Sequence, residues 1–96
     1  MTPYALNLVG LNLNLTLTGE ITIEHARSLA EELKSTLCSD HVLDVDASQL
    51  TRIDAAGLQV LLSSAQSAAD TTLSASSSAW TDAFTRYASP DPFRII

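Results

Sequence analysis

Cationic side chains are scarce in this sequence: five Lys and Arg stand against eleven Asp and Glu, a formal net charge of -6. Those five, Arg27, Lys34, Arg52, Arg86 and Arg94, are scattered rather than gathered into a stripe. A nucleic-acid backbone is bound by clustered cations that neutralise phosphates, and an anionic membrane surface asks for the same, so neither is expected as a partner. One cysteine, Cys38, forms no internal disulfide and assembles no thiolate metal site, which points to reducing cytoplasm. Three glycines occur, in no phosphate-cradling G-x-G-x-x-G or Walker arrangement, which argues against a nucleotide enzyme. No apolar run approaches the ~20 residues that cross a bilayer. Met1-Thr2-Pro3-Tyr4 supplies no cationic segment ahead of an apolar one, as a secretory signal would. The expectation is a cytoplasmic protein without cofactor, metal or membrane insertion, whose partner is another protein.

What is present is apolar and periodic. Hydrophobic residues make up 46% of the 96 residues and charged ones 17%, enough for one modest core and hence one domain over residues 1–96. Leu11, Leu13, Leu15 and Leu17 alternate with Asn12, Asn14, Thr16 and Thr18, the period of a half-buried strand. Tyr4, Leu6 and Leu8 alternate in the opposite parity. Val9-Gly10 therefore resets the register, either as the turn of a hairpin between strands 4–8 and 11–18 or as a bulge in one long strand. Gly19-Glu20 ends this segment. Thr22 then caps a helix over 23–37 with Ala26, Leu29, Ala30, Leu33 and Leu37 on one stripe, and Glu24, Glu31, Glu32 and Lys34 on a solvated face.

The run 41–47 reads as an inner strand, and 48–53 as a connection. Asp54 opens a second helix with Leu58, Leu61, Leu62, Ala65 and Ala69 on one side. A weaker strand follows at 71–75. Trp80, Ala83, Phe84 and Tyr87 then form the apolar stripe of a third helix, capped by Ser77 or Ser78 and stopped by Pro90 and Pro92, with a short terminal strand at 93–96. The order β-β-α-β-α-β-α-(β) predicts an α/β fold: a mixed sheet of about four to five strands, the later ones parallel, with three amphipathic helices.

Three segments in this order resemble the STAS domain, the family of bacterial anti-sigma factor antagonists and of the cytoplasmic tails of sulfate transporters. Leu17-Thr18-Gly19-Glu20-Ile21 is similar to the family's strand ending L-x-G-E-L/I. Val45-Asp46-Ala47-Ser48, continuing to Ile53, is similar to its central strand and loop. Ile53-Asp54-Ala55-Ala56-Gly57-Leu58-Gln59 looks like its I-D-S-S/A-G-L turn. The resemblance covers roughly residues 4–88.

It implies a non-catalytic STAS-like module that regulates by binding protein, with Asp54, Ala55, Ala56, Gly57, Leu58 and Ser48 as the partner-binding residues. In the antagonists the residue after the motif aspartate is a serine, phosphorylated by a partner that is both kinase and anti-sigma factor. Here that position is Ala55, so the resemblance implies docking without the phosphoserine switch. The implied partner is a kinase-like anti-sigma factor or a chemotaxis-type signalling scaffold. The alternative is the STAS subunit of a lipid-transport ABC complex. A second copy pairing along an edge strand is a further partner to consider.

Asp54 is read either as a plain helix cap or as cap and recognition residue together, and Gly57 as a site of close packing or close approach. Asp44 and Asp46 share one side of a strand, but no His, Cys or Lys is placed to complete an acid-base site with them. His25 and His41 are expected in exposed or capping roles, Cys38 as a small buried hydrophobe, and the Trp80, Phe84 and Tyr87 stripe as core. Ser48, Thr51, Ser63 and Ser64 keep hydroxyls near the motif, none singled out for modification.

Overall fold

The computed structural model describes residues 3–87 and 93–95. Among the described residues five strands and three helices follow one another: β1 (Tyr4–Val9), β2 (Asn12–Ile21), α1 (Ile23–Thr36), β3 (Val42–Ile53), α2 (Ala55–Ser67), β4 (Asp70–Ser76), α3 (Ser78–Arg86) and β5 (Arg94–Ile95). The sheet order is β1-β2-β3-β4-β5, with β1 antiparallel to β2 and every later pair parallel. Helical crossovers between adjacent parallel strands produce that sequential order.

From Leu13 onward the leucine alternation does what its period requires, whereas Leu11, expected on the same face, lies in the turn before β2 and is exposed. Leu13, Leu15 and Leu17 of β2, with Leu43, Val45 and Ala47 of β3 and Leu73 of β4, present one face to Leu29, Leu33, Leu58, Leu61, Trp80 and Phe84 of the helices. Asn12, Asn14, Thr16 and Thr18 turn to the opposite, more open face. The parity change at Val9-Gly10 is a hairpin: Val9 pairs with Asn12, and Gly10 begins the two-residue turn at φ +60°. A side chain is strained in that conformation, so glycine suits the position.

Two elements run beyond their expected ends. Gly19-Glu20 does not stop β2, which continues to Ile21, and β3 continues through 48–53 instead of giving way to a loop. The reason is a double bulge. Against β2, the β3 register slips by one residue between Thr16 and Thr18 and again between Gly19 and Glu20. Each slip inserts one extra residue in β3, so the buried positions after Ala47 are Leu50 and Ile53, three apart. A search for period two misses such a strand.

Polar contacts settle the strand carboxylates. Asp44 Oδ1 accepts from the Thr72 hydroxyl at 2.9 Å across the β3–β4 pair, and Asp46 Oδ1 accepts from the Ser48 amide at 3.0 Å and hydroxyl at 2.7 Å. The Ser48 amide, followed by its hydroxyl, holds the Asp46 carboxyl below its ordinary value of 3.8. A depressed folded-state value stabilises the fold above the unfolded value, and that contribution is lost as pH falls through the folded one. Asp46→Asn should therefore lower the thermal midpoint at neutral pH, with the gap from wild type closing as the pH is taken below 3.8. Midpoints of both proteins along an acid series check this; a gap independent of pH would mean that the carboxylate's charge is irrelevant.

Ser77 occupies the N-cap position of α3, but its hydroxyl makes no bond to the helix amides: it donates to the Leu50 carbonyl and ties α3 to the bulged part of β3. Trp80 and Phe84 enter the core as expected, whereas Tyr87 is 37% exposed at the helix end. Phe93 takes the remaining aromatic place, its ring 5.3 Å from that of Trp80. The expected helix stops at Pro90 and Pro92, and Ile96 of the terminal strand, lie outside the described residues.

Candidate functional site

The junction of β3 and α2 is built from both ends of the sequence pattern. Asp54 sits in extended conformation as the N-cap of α2, its Oδ1 accepting from the Gly57 amide at 3.0 Å and its carbonyl from the Leu58 amide at 3.0 Å. Its own amide donates to the Ile21 carbonyl at 3.1 Å, which fastens the turn to the end of β2. Beneath it Gly57 is packed so closely that a Cβ would lie 2.9 Å from Ile21 Cγ2 and 2.9 Å from Ile53 Cγ1. Between the two readings of this glycine, the structure supplies close internal packing.

The six residues expected to meet a partner separate accordingly. Ala55 is exposed, Asp54 and Ala56 are half-buried, and Gly57 and Leu58 are inside, Leu58 at 1% exposure. Gly57 and Leu58 shape the turn from within, while Asp54, Ala55 and Ala56 form its surface. Ser48 is exposed on β3, six residues before the cap. Extended chain at 3.3 Å per residue puts it up to ~20 Å from that cap, and its hydroxyl is engaged by Asp46.

The surface running away from Ala55 is distinctive. From residue 55 to residue 69 the chain contains no charged side chain, and the exposed positions of α2 beyond Ala55 are Gln59, Ser63, Gln66 and Ser67. On α1, by contrast, Glu24, Arg27, Glu31, Glu32 and Lys34 are all exposed. Between the helices lies an open groove of about 630 Å³, lined by Leu33, Lys34 and Leu37 on one side and by Val60, Ser63 and Ser67 on the other. Depletion of charge is what the centres of protein interfaces show relative to other surface. This signal is present in the sequence itself, although attention to single motif residues passes over it.

A family model described as Mlab, STAS domain, matches residues 5–89. The chain belongs to the STAS domain family. Among solved structures, this STAS domain is similar to the unphosphorylated anti-sigma factor antagonist SpoIIAA: 14% identity, TM-score 0.74, with 97% of this chain and 86% of that one covered. An anti-sigma factor antagonist from Mycobacterium paratuberculosis matches with TM-score 0.74 at 14% identity, over 96% of this chain and 82% of that one. An uncharacterised Shewanella loihica protein with a SpoIIAA-like fold gives TM-score 0.62 at 13% identity, over 97% and 83% of the two chains. At these identities the likeness is one of fold. No curated protein sequence matches the STAS domain described here. Among the described residues, no helix is long and apolar enough to cross a membrane.

The remaining candidates resolve into structural roles, with one exception. His25, at the third position of α1, accepts the Thr22 amide on Nδ1 at 3.2 Å and so completes the helix start. Cys38, expected to be buried, is exposed, because α1 ends at Thr36 and Leu37 takes the cap. His41, 8% exposed, accepts the Cys38 amide on Nδ1 at 3.0 Å. The turn so formed brings Cys38, Asp40 and His41 together, with their ligand atoms all within 4.8 Å of one another. Sequence reasoning treated these residues one at a time and missed the grouping; the C-x-D-H order was the available signal.

Proposed function

We propose that this STAS domain is a non-catalytic regulatory module that docks on a kinase-like anti-sigma factor or related signalling scaffold through Asp54, Ala55 and Ala56 and the adjoining uncharged face of α2. The observation that carries the reading is Ala55: an exposed methyl group at the first position of a helix whose cap is fixed by Asp54 and whose underside is closed by Gly57. Small residues there let a partner's backbone come close to the free amides of the helix start. Without a hydroxyl at position 55 the partner's kinase has nothing to modify at this turn, and the module binds constitutively.

Ala55→Asp is the test. A carboxylate in the first helical turn favours the helix dipole, so the fold is retained while a charge enters the docking surface. Affinity for a purified kinase-like anti-sigma factor, measured by calorimetry, should fall by roughly thirtyfold or more, about 2 kcal/mol. Unchanged affinity would remove the turn from the interface. Ala55→Ser should restore a phosphate acceptor: with the same partner and ATP, mass spectrometry should find phosphate on residue 55, and the phosphorylated form should bind more weakly.

A second reading, the STAS subunit of a lipid-transport ABC complex, is favoured by the description of the matching family model, which names Mlab. Stable co-purification with an ABC ATPase, and no binding to a kinase-like anti-sigma factor, would select it.

A further inference from the structure

We propose that Cys38, Asp40 and His41, in the connection between α1 and β3, form a binding site for a divalent transition-metal ion, Zn2+ foremost. The ligand set is mixed: one sulfur, one carboxylate oxygen and one imidazole nitrogen, all within 4.8 Å of one another. Such a set suits a borderline-soft ion better than the hard, all-oxygen cations Ca2+ and Mg2+. With Zn–S near 2.3 Å and Zn–N or Zn–O near 2.0–2.2 Å, tetrahedral coordination needs ligand atoms about 3.5 Å apart. Closing from the observed separation requires rotation of Cys38 and Asp40, which are both exposed and on a connection rather than in a packed element.

Two hydrogen bonds hold this turn and fix the His41 ring beside residue 38. The His41 amide donates to the Cys38 carbonyl at 3.0 Å, and the Cys38 amide donates back to His41 Nδ1 at 3.0 Å. The second bond keeps the lone pair of Nδ1 directed at residue 38 and leaves the ring proton on Nε2, which is the tautomer that coordinates through Nδ1. His41 is buried and cannot swing away, so it serves as the fixed ligand around which the other two close. On binding, the metal replaces the Cys38 amide at Nδ1, that amide turns to solvent, and the thiol gives its proton to water as the metal–sulfur bond forms. Water fills the fourth position. Because a proton is released, affinity rises with pH.

The experiment uses the untagged full chain, freed of metal and held reduced by a phosphine, titrated with Co2+ and then with Zn2+. The expected result is one ion per chain, with a thiolate-to-cobalt charge-transfer band and strong visible absorption of four-coordinate Co2+, both erased when Zn2+ displaces it. Cys38→Ser should abolish the charge-transfer band, and Cys38→Ser and Asp40→Asn should each weaken Zn2+ by about tenfold or more in calorimetry. Both positions are exposed, so these variants keep the fold even where His41→Gln does not. A Co2+ spectrum without the charge-transfer band, or Zn2+ binding that survives Cys38→Ser and Asp40→Asn unchanged, would overturn the assignment.

Discussion

Trp80→Ala should lower the unfolding free energy by about 3–5 kcal/mol, the cost of emptying a large buried aromatic site that neighbours only partly refill. Trp80 is 2% exposed, with the Phe84 ring 5.1 Å away in a tilted arrangement and the Phe93 ring 5.3 Å away edge-on. Both are spacings at which aromatic pairs attract beyond their area alone. The loss is large because α3 covers the sheet with only nine residues and three buried side chains, Trp80, Ala83 and Phe84. Domains of this size are stable by roughly 5–15 kcal/mol, so the variant should unfold at much lower temperature or fail to accumulate. Urea unfolding followed by far-ultraviolet circular dichroism checks the number, and Trp80→Phe should recover more than half of the loss. A change below about 1 kcal/mol, the size expected of an ordinary substitution, would mean that α3 is not seated as described.

Gly57→Ala sets two effects of opposite sign against each other. Within a helix Ala is favoured over Gly by about 1 kcal/mol, and on an exposed helix face the change would stabilise. Here the added methyl meets Ile21 Cγ2 and Ile53 Cγ1 at 2.9 Å each, and Ile53 Cδ1 at 3.3 Å. Two of those atoms lie at the branch of stiff side chains buried to 0% and 5% exposure, so they cannot simply rotate aside. Overpacking a closed site of this kind costs about 1–3 kcal/mol. Sterics should win, leaving the variant less stable than wild type by up to about 2 kcal/mol and moving the Asp54 cap relative to β2. A double-mutant cycle with Ile53→Ala gives the cause: removing Cγ1 and Cδ1 makes room, so the double variant should be less destabilised than the sum of the singles. Additive losses would show that the contact is not what makes glycine necessary.

This contact also explains why two segments far apart in sequence carry the family likeness together. Ile21 closes the first segment, Asp54 and Gly57 belong to the last, and they meet through the Asp54 amide on the Ile21 carbonyl and the Ile21 side chain against Gly57. The likeness therefore tracks a physical object, the seat of the turn. What faces outward from that seat is Ala55, and its side chain makes no part of the seating.

The alternating leucines of β2, most of the apolar stripe of each helix and the helix starts at Thr22 and Asp54 were determined by the sequence alone, because period and capping depend on neighbours within a few residues; between Ser77 and Ser78 the sequence left the start of α3 open. The same local reasoning brought the family into view and put Asp54 at the start of α2. Tertiary structure decided what depends on register between strands and on which surfaces meet. The double bulge turned an expected loop into the second half of β3 and made Leu50 and Ile53 core residues, since a register slip is defined only by the partner strand. Packing between segments buried Gly57 and Leu58 beneath the exposed Ala55 and left Cys38 in solvent beside Asp40 and His41. Burial and side-chain proximity are set by packing between distant segments, and no period in the chain encodes them.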